Sequence, residues 1–98
     1  MSWDDMQKGE AQPSENAKRL RELFGLVFQS PEGLELLARL REETVERPLP
    51  SDVPERALAF LEGQRQLVLA IERRAANALD LHPTELRRRY PALGPRRE

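Results

Sequence analysis

The side chains with the widest chemical range are scarce in this sequence, while charged ones are abundant. There is no cysteine and one imidazole, His82. Disulfides and thiolate metal sites are thereby excluded, as are zinc sites built on several histidines and any catalytic triad that needs two. His82 stands before Pro83 at the expected start of a helix, where a ring nitrogen accepting a backbone hydrogen bond, or plain exposure, is expected over catalysis or metal ligation. Of the seventeen carboxylates, most alternate with arginines on faces that read as solvated, and none has a catalytic or metal-binding spacing. The five glycines are scattered, without the clustering that lets backbone amides cradle phosphate. The chain is expected to be no enzyme and to carry no cofactor and no metal.

Arginine chemistry remains. Arg87, Arg88, Arg89, Arg96 and Arg97 form the densest basic stretch, and Tyr90 within it offers one ring for stacking. Contact with nucleic acid is one reading of that stretch. The other is a solvated or protein-facing cluster, favoured by the formal net charge of −1, by the lack of a basic helix ahead of it, and by the affinity of helix C-termini for cations. At the opposite end Trp3, beside Asp4 and Asp5, reads either as a docking anchor or as a residue resting on its own domain. Residues 1–55 carry a net charge of −5 and residues 56–98 one of +4. Such a gradient lets copies approach head to tail, or lets the two ends face different partners.

These residues need elements to position them. A chain of 98 residues has room for one domain and a single core. The apolar run Leu67–Ile71 is five residues long, against the roughly 20 that a membrane-spanning helix requires. The N-terminus has neither the basic nor the apolar region of a secretory signal, so the chain is expected to be made and kept in the cytoplasm. Ser14 predicts a first helix cap, followed by Ala17, Leu20, Leu23, Phe24, Val27 and Phe28 on one amphipathic face. Ser30 and Pro31 predict an immediate second start. Gly33 lies in that second first turn, where close approach of the preceding helix would account for it. Pro48 and Pro50 stiffen an extended linker. Asp52 and Glu55 have capping-box spacing around Pro54, and Ala57, Leu61, Gln64, Val68, Ile71, Ala75 and Ala78 then trace an a/d seam. Leu58, Phe60, Leu67, Leu69, Ala70 and Leu79 fall outside the seam, so the third helix is either the central helix of the bundle or has one side buried only when copies associate; association through it is expected, with Leu69 on the contact face. Pro83 opens a short fourth helix over Thr84 to Tyr90. The expected fold is all-α, a small helical bundle of three principal helices plus a short C-terminal helix, in which helices one and two fold as a hairpin over the third. The expected organisation is a flexible N-terminal arm over residues 1–13, the bundle over 14–90 and a basic C-terminal tail over 91–98.

Two segments belong together. Phe28-Gln29-Ser30-Pro31-Glu32-Gly33 followed by Leu36-Leu37, and Glu62-Gly63-Gln64-Arg65 followed by Val68 and Ile71, resemble a family of small structural proteins of tailed bacteriophages, mainly short-tailed ones. The similarity spans about residues 24–75. It implies a non-enzymatic virion or assembly component, and the expected function is such a component, assembling in multiple copies and contacting other virion proteins; the alternative is a small helical nucleic-acid-binding or regulatory protein using its C-terminal arginines. A physical reading of the paired motif is architectural. Gly33 and Gly63 would let two helices cross closely, with Ser30 and Pro31 starting one of them and Glu62 and Arg65 pairing with each other or across the crossing. The alternative for Glu62 and Arg65 is a polar binding site.

Overall fold

The computed structural model describes residues 14–94. They form four helices and no strand: α1 (Glu15–Phe28), α2 (Pro31–Thr44), α3 (Glu55–Ala78) and α4 (Pro83–Arg88). The fold is a small all-α bundle. The expected arm, residues 1–13, and residues 95–98 lie outside the described residues, and with them Trp3, Arg96 and Arg97.

Local chemistry sets the helix ends. The Ser14 hydroxyl accepts from the Ala17 N–H at 3.1 Å and opens α1. At the junction with α2, the Ser30 hydroxyl accepts from the Gly33 N–H at 3.0 Å and donates to the Val27 carbonyl at 2.7 Å. One side chain thereby serves an orphan donor of α2 and a terminal carbonyl of α1. Pro31 fills the first position of α2, where its missing N–H costs nothing. α3 starts at Glu55 with Pro54 in the capping position and no side-chain cap. The capping box expected from Asp52 is therefore absent, because Pro54 is the last extended residue (φ −60°, ψ 150°) and its ring offers no oxygen. Asp52 belongs to the turn before it.

The far end of α3 closes with two bonds, from the Leu81 N–H to the Ala76 carbonyl at 2.8 Å and from the Asp80 N–H to the Asn77 carbonyl at 3.2 Å. This is a Schellman end. It places Asp80 at φ 56°, a left-handed conformation that aspartate tolerates better than most side chains. Arg21 of α1 reaches across to the Asn77 carbonyl at 3.1 Å and to Asp80 Oδ1 at 3.0 Å. α4 ends at Arg88, two residues short of the expected Tyr90, which lies in the following turn.

α1 and α2 pack on each other and both pack on α3, while α4 covers the C-terminal part of α3. α3 is thus the spine. The core joins Phe28 of α1, Leu37 of α2, Ala75 and Ala76 of α3 and Leu86 of α4, with Phe24, Leu34, Ile71, Leu79, Leu81 and Tyr90 packed around it. Leu37 and Leu86 are fully buried, each stabilising the fold by roughly 1.5–3 kcal/mol relative to an exposed position.

Candidate functional site

The fold keeps the two motif segments apart. α2 runs antiparallel to α3: Arg41 bonds Glu72, while Thr44 and Arg47 share a shallow hollow with Leu61, Glu62 and Arg65. The Ser30–Pro31–Gly33 end of α2 therefore lies toward the end of α3 remote from Gly63. Gly33 is buried, and a Cβ built on it would overlap the Val27 carbonyl. Its close neighbour is the end of α1 across the Ser30 turn. Gly63 is different: a Cβ there would meet no atom within 4 Å. The helix crossing expected at Gly63 is absent, because this position faces away from the stripe of Val68, Glu72 and Ala75 that α3 buries.

Glu62 and Arg65 pair with each other along α3, at 3.3 Å, rather than across a crossing. The Gln66 amide also donates to Glu62 at 2.9 Å. These bonds, Gln66 first and Arg65 second, hold the Glu62 carboxyl below its ordinary range. The group is exposed, so the pair adds little to stability.

The buried polar chemistry lies elsewhere. Glu72 is 1% exposed, one turn on from Val68, and so stands apart from the majority of carboxylates, which are expected on solvated faces. Its Oε1 accepts from Arg41 Nη1 of α2 at 2.6 Å and its Oε2 from the Tyr90 hydroxyl at 2.8 Å. Arg41 also reaches Glu46 at 3.2 Å. Burial of the ring, then the hydrogen bond to Glu72 and its charge, push the Tyr90 phenol far above its ordinary value. No buried side-chain nitrogen or oxygen among the described residues lacks a partner. The triad ties α2, α3 and the turn after α4 together, and a fully satisfied network of this kind favours one arrangement of the elements.

Tyr90 is thereby removed as the stacking ring expected within the basic stretch, since its hydroxyl is anchored and its ring packs on the core. Arg88 and Arg89 are exposed, and Arg87 is partly buried with a 3.4 Å contact to the Thr84 hydroxyl. His82 caps α4: its Nδ1 accepts from the Thr84 N–H at 3.1 Å while Glu85 accepts from the His82 N–H at 3.2 Å. Among the described residues no three His, Asp or Glu side chains converge as a metal site. Leu69, expected on the contact face, is partly buried. On the same helix the most exposed large apolar side chains are Phe60 at 68% and Leu67 at 62%. Leu26, Val27 and Leu36 of α1 and α2 are also exposed.

The periodic signal for Glu72 is present in the sequence, four residues after Val68 and three before Ala75. What the sequence does not reveal is which arginine and which hydroxyl turn inward to meet it. The described residues thus define a small all-α bundle with a buried polar clamp, capped helix ends and exposed apolar side chains on three helices. The chain belongs to the family of Bbp19-like phage proteins, whose model matches residues 20–89, from within α1 to the turn after α4 and across both motif segments. No curated protein and no solved structure matches it. No helix among the described residues is long and apolar enough to cross a membrane.

Proposed function

We propose that this phage protein is a non-enzymatic structural component of a bacteriophage virion or of its assembly, present in multiple copies and docking on other virion proteins. The observation that carries the reading is the set of large apolar side chains left in water on three helices of a bundle this small: Leu26, Val27, Leu36, Phe60 and Leu67. Exposed apolar surface beyond scattered single residues marks interaction sites. The polar network is consumed in holding the helices, which leaves it architectural and makes the bundle a rigid carrier for those faces.

The test uses the phage that encodes the protein. Quantitative mass spectrometry of purified particles and assembly intermediates should find several copies per particle in one or both, and deletion of the gene should lower the yield of complete particles. Absence from both preparations with normal yield would overturn the reading. A second reading, contact with nucleic acid, is favoured by Arg73, Arg74, Arg88 and Arg89, which are exposed and form no ion pair among the described residues. It predicts DNA binding whose affinity falls steeply as salt rises. Binding that ignores salt, or no binding, removes it.

A further inference from the structure

We infer that α3 carries a docking face for a second copy of this chain, and that the two copies pair antiparallel along Arg56, Phe60, Gly63, Leu67, Ala70 and Arg74. The inference deepens the multicopy part of the proposed function and rests on it there. Those six positions advance by alternating steps of four and three, the spacing of a coiled-coil seam. They lie opposite Val68, Glu72 and Ala75, which the fold buries. On the free side, Phe60 and Leu67 are the two most exposed large apolar residues described, at 68% and 62%. Between them stands Gly63, whose missing side chain faces open space. From Arg56 to Arg74 the seam runs for about 27 Å at a rise of 1.5 Å per residue.

Size and charge together select the occupant and its direction. In an antiparallel pair, layers form between positions whose numbers mirror each other about residue 65. Leu67 then enters the space over Gly63 of the second copy, and Phe60 lies over the second copy's Ala70. Each large apolar side chain meets a small one, and only the solvent-open end layers set like side chains together, Arg56 against Arg74 of the second copy, both exposed. The acidic Glu55 at one end of α3 comes level with Arg73 and Arg74 of the second copy, and these three are exposed with no ion pair of their own among the described residues. A parallel pair would instead set Gly63 against Gly63, leaving a void, and Glu55 against Glu55. Complementary charges fix register and orientation in this way.

The experiment is sedimentation of the full chain with circular dichroism as the control for folding. The wild type should sediment as a dimer that dissociates on dilution. Leu67→Glu should halve the mass with helicity unchanged. Gly63→Leu should do the same by filling the slot, in a position where the monomer has room. Because the chain has no cysteine, single cysteines report direction through a short bis-maleimide linker. Gln66→Cys, near the two-fold axis, should link to itself, whereas Ala59→Cys and Arg73→Cys should link only when mixed. If Leu67→Glu unfolds, the cysteine pattern still decides. A wild type that stays monomeric at the highest attainable concentration overturns the inference, as does a dimer indifferent to both substitutions or self-linking of Ala59→Cys alone. Particle content is read separately: a monomer found in particles sinks the pairing and spares the virion role, and a dimer absent from particles and intermediates does the reverse.

Discussion

Gly33 and Gly63 look alike in the sequence and have opposite surroundings. A Cβ at Gly33 would overlap the Val27 carbonyl, which Ser30 holds in place. Gly33→Ala is therefore expected to destabilise by about 1–3 kcal/mol through overpacking, overriding a propensity gain of about 1 kcal/mol. Gly63→Ala has no clash within a single copy to offset that gain, and at concentrations too low for copies to pair it should stabilise by up to about 1 kcal/mol. Urea denaturation of the two variants reads both signs. Sequence alone does not separate them, since the deciding neighbour of Gly33 comes from another helix and that of Gly63 is missing. Glu72 is the converse case: its register on α3 is legible, whereas Arg41 and Tyr90 stand 31 and 18 residues away, each in a stretch with several candidates. Glu72→Ala removes one of the two carboxylates paired with the partly buried Arg41 and leaves the Tyr90 hydroxyl without its acceptor, and should cost about 1–3 kcal/mol. The phenol of Tyr90 holds its proton more tightly in the fold than in the unfolded chain. The associated stability is complete below the ordinary phenol value of 10.0 and is lost as pH rises beyond it. Above that pH the wild type should lose melting temperature faster than Tyr90→Phe does. The phenolate band of the single tyrosine should appear together with unfolding; a folded chain whose phenol titrates at its ordinary value would refute the bond to Glu72.

Helix ends are where the sequence is most legible, because caps act within a few residues of the chain. Ser14, the Ser30–Pro31 pair and the His82–Pro83 pair all stand at the ends they imply. α3 is the exception, for Pro54 takes the capping position that the Asp52 and Glu55 spacing points to. The buried face of α3 is also poorly marked. Its middle is apolar around much of its circumference, so the pattern admits more than one seam, and contact with the other helices selects Val68, Glu72, Ala75 and Ala76. That choice turns Gln64 outward and draws Leu69 partly inside, which leaves Leu67 rather than Leu69 exposed. The Ser30 junction yields a prediction at this scale. Ser30→Ala removes the acceptor for the Gly33 N–H and the donor to the Val27 carbonyl, and should cost about 1–2 kcal/mol. Ser30→Asp keeps the acceptor and loses the donor, so thermal melts should place it between wild type and Ser30→Ala. Equal melting of Ser30→Ala and wild type would mean that α2 starts without this hydroxyl.

At the scale of the molecule, the buried apolar core is slight: Phe28, Leu37, Val68 and Leu86 are its larger members, and Ala38, Ala75 and Ala76 the rest. Small chains bury a lower fraction of their surface than large ones and are correspondingly marginal. The apolar area missing inside is found outside, on Leu26, Leu36, Phe60 and Leu67. A second copy covering the α3 face would therefore add stability that the monomer lacks, and that addition obeys mass action. For a chain hundredfold above its dissociation constant the gain is about 2.7 kcal/mol, which at this size raises the melting temperature by roughly 10–20 °C. Wild-type melting should accordingly climb with protein concentration, while Leu67→Glu should melt at one temperature throughout. A wild type whose melting temperature ignores concentration, with helicity intact, would show that the bundle stands on its small core alone and that the exposed apolar side chains contribute nothing to the stability of the isolated chain.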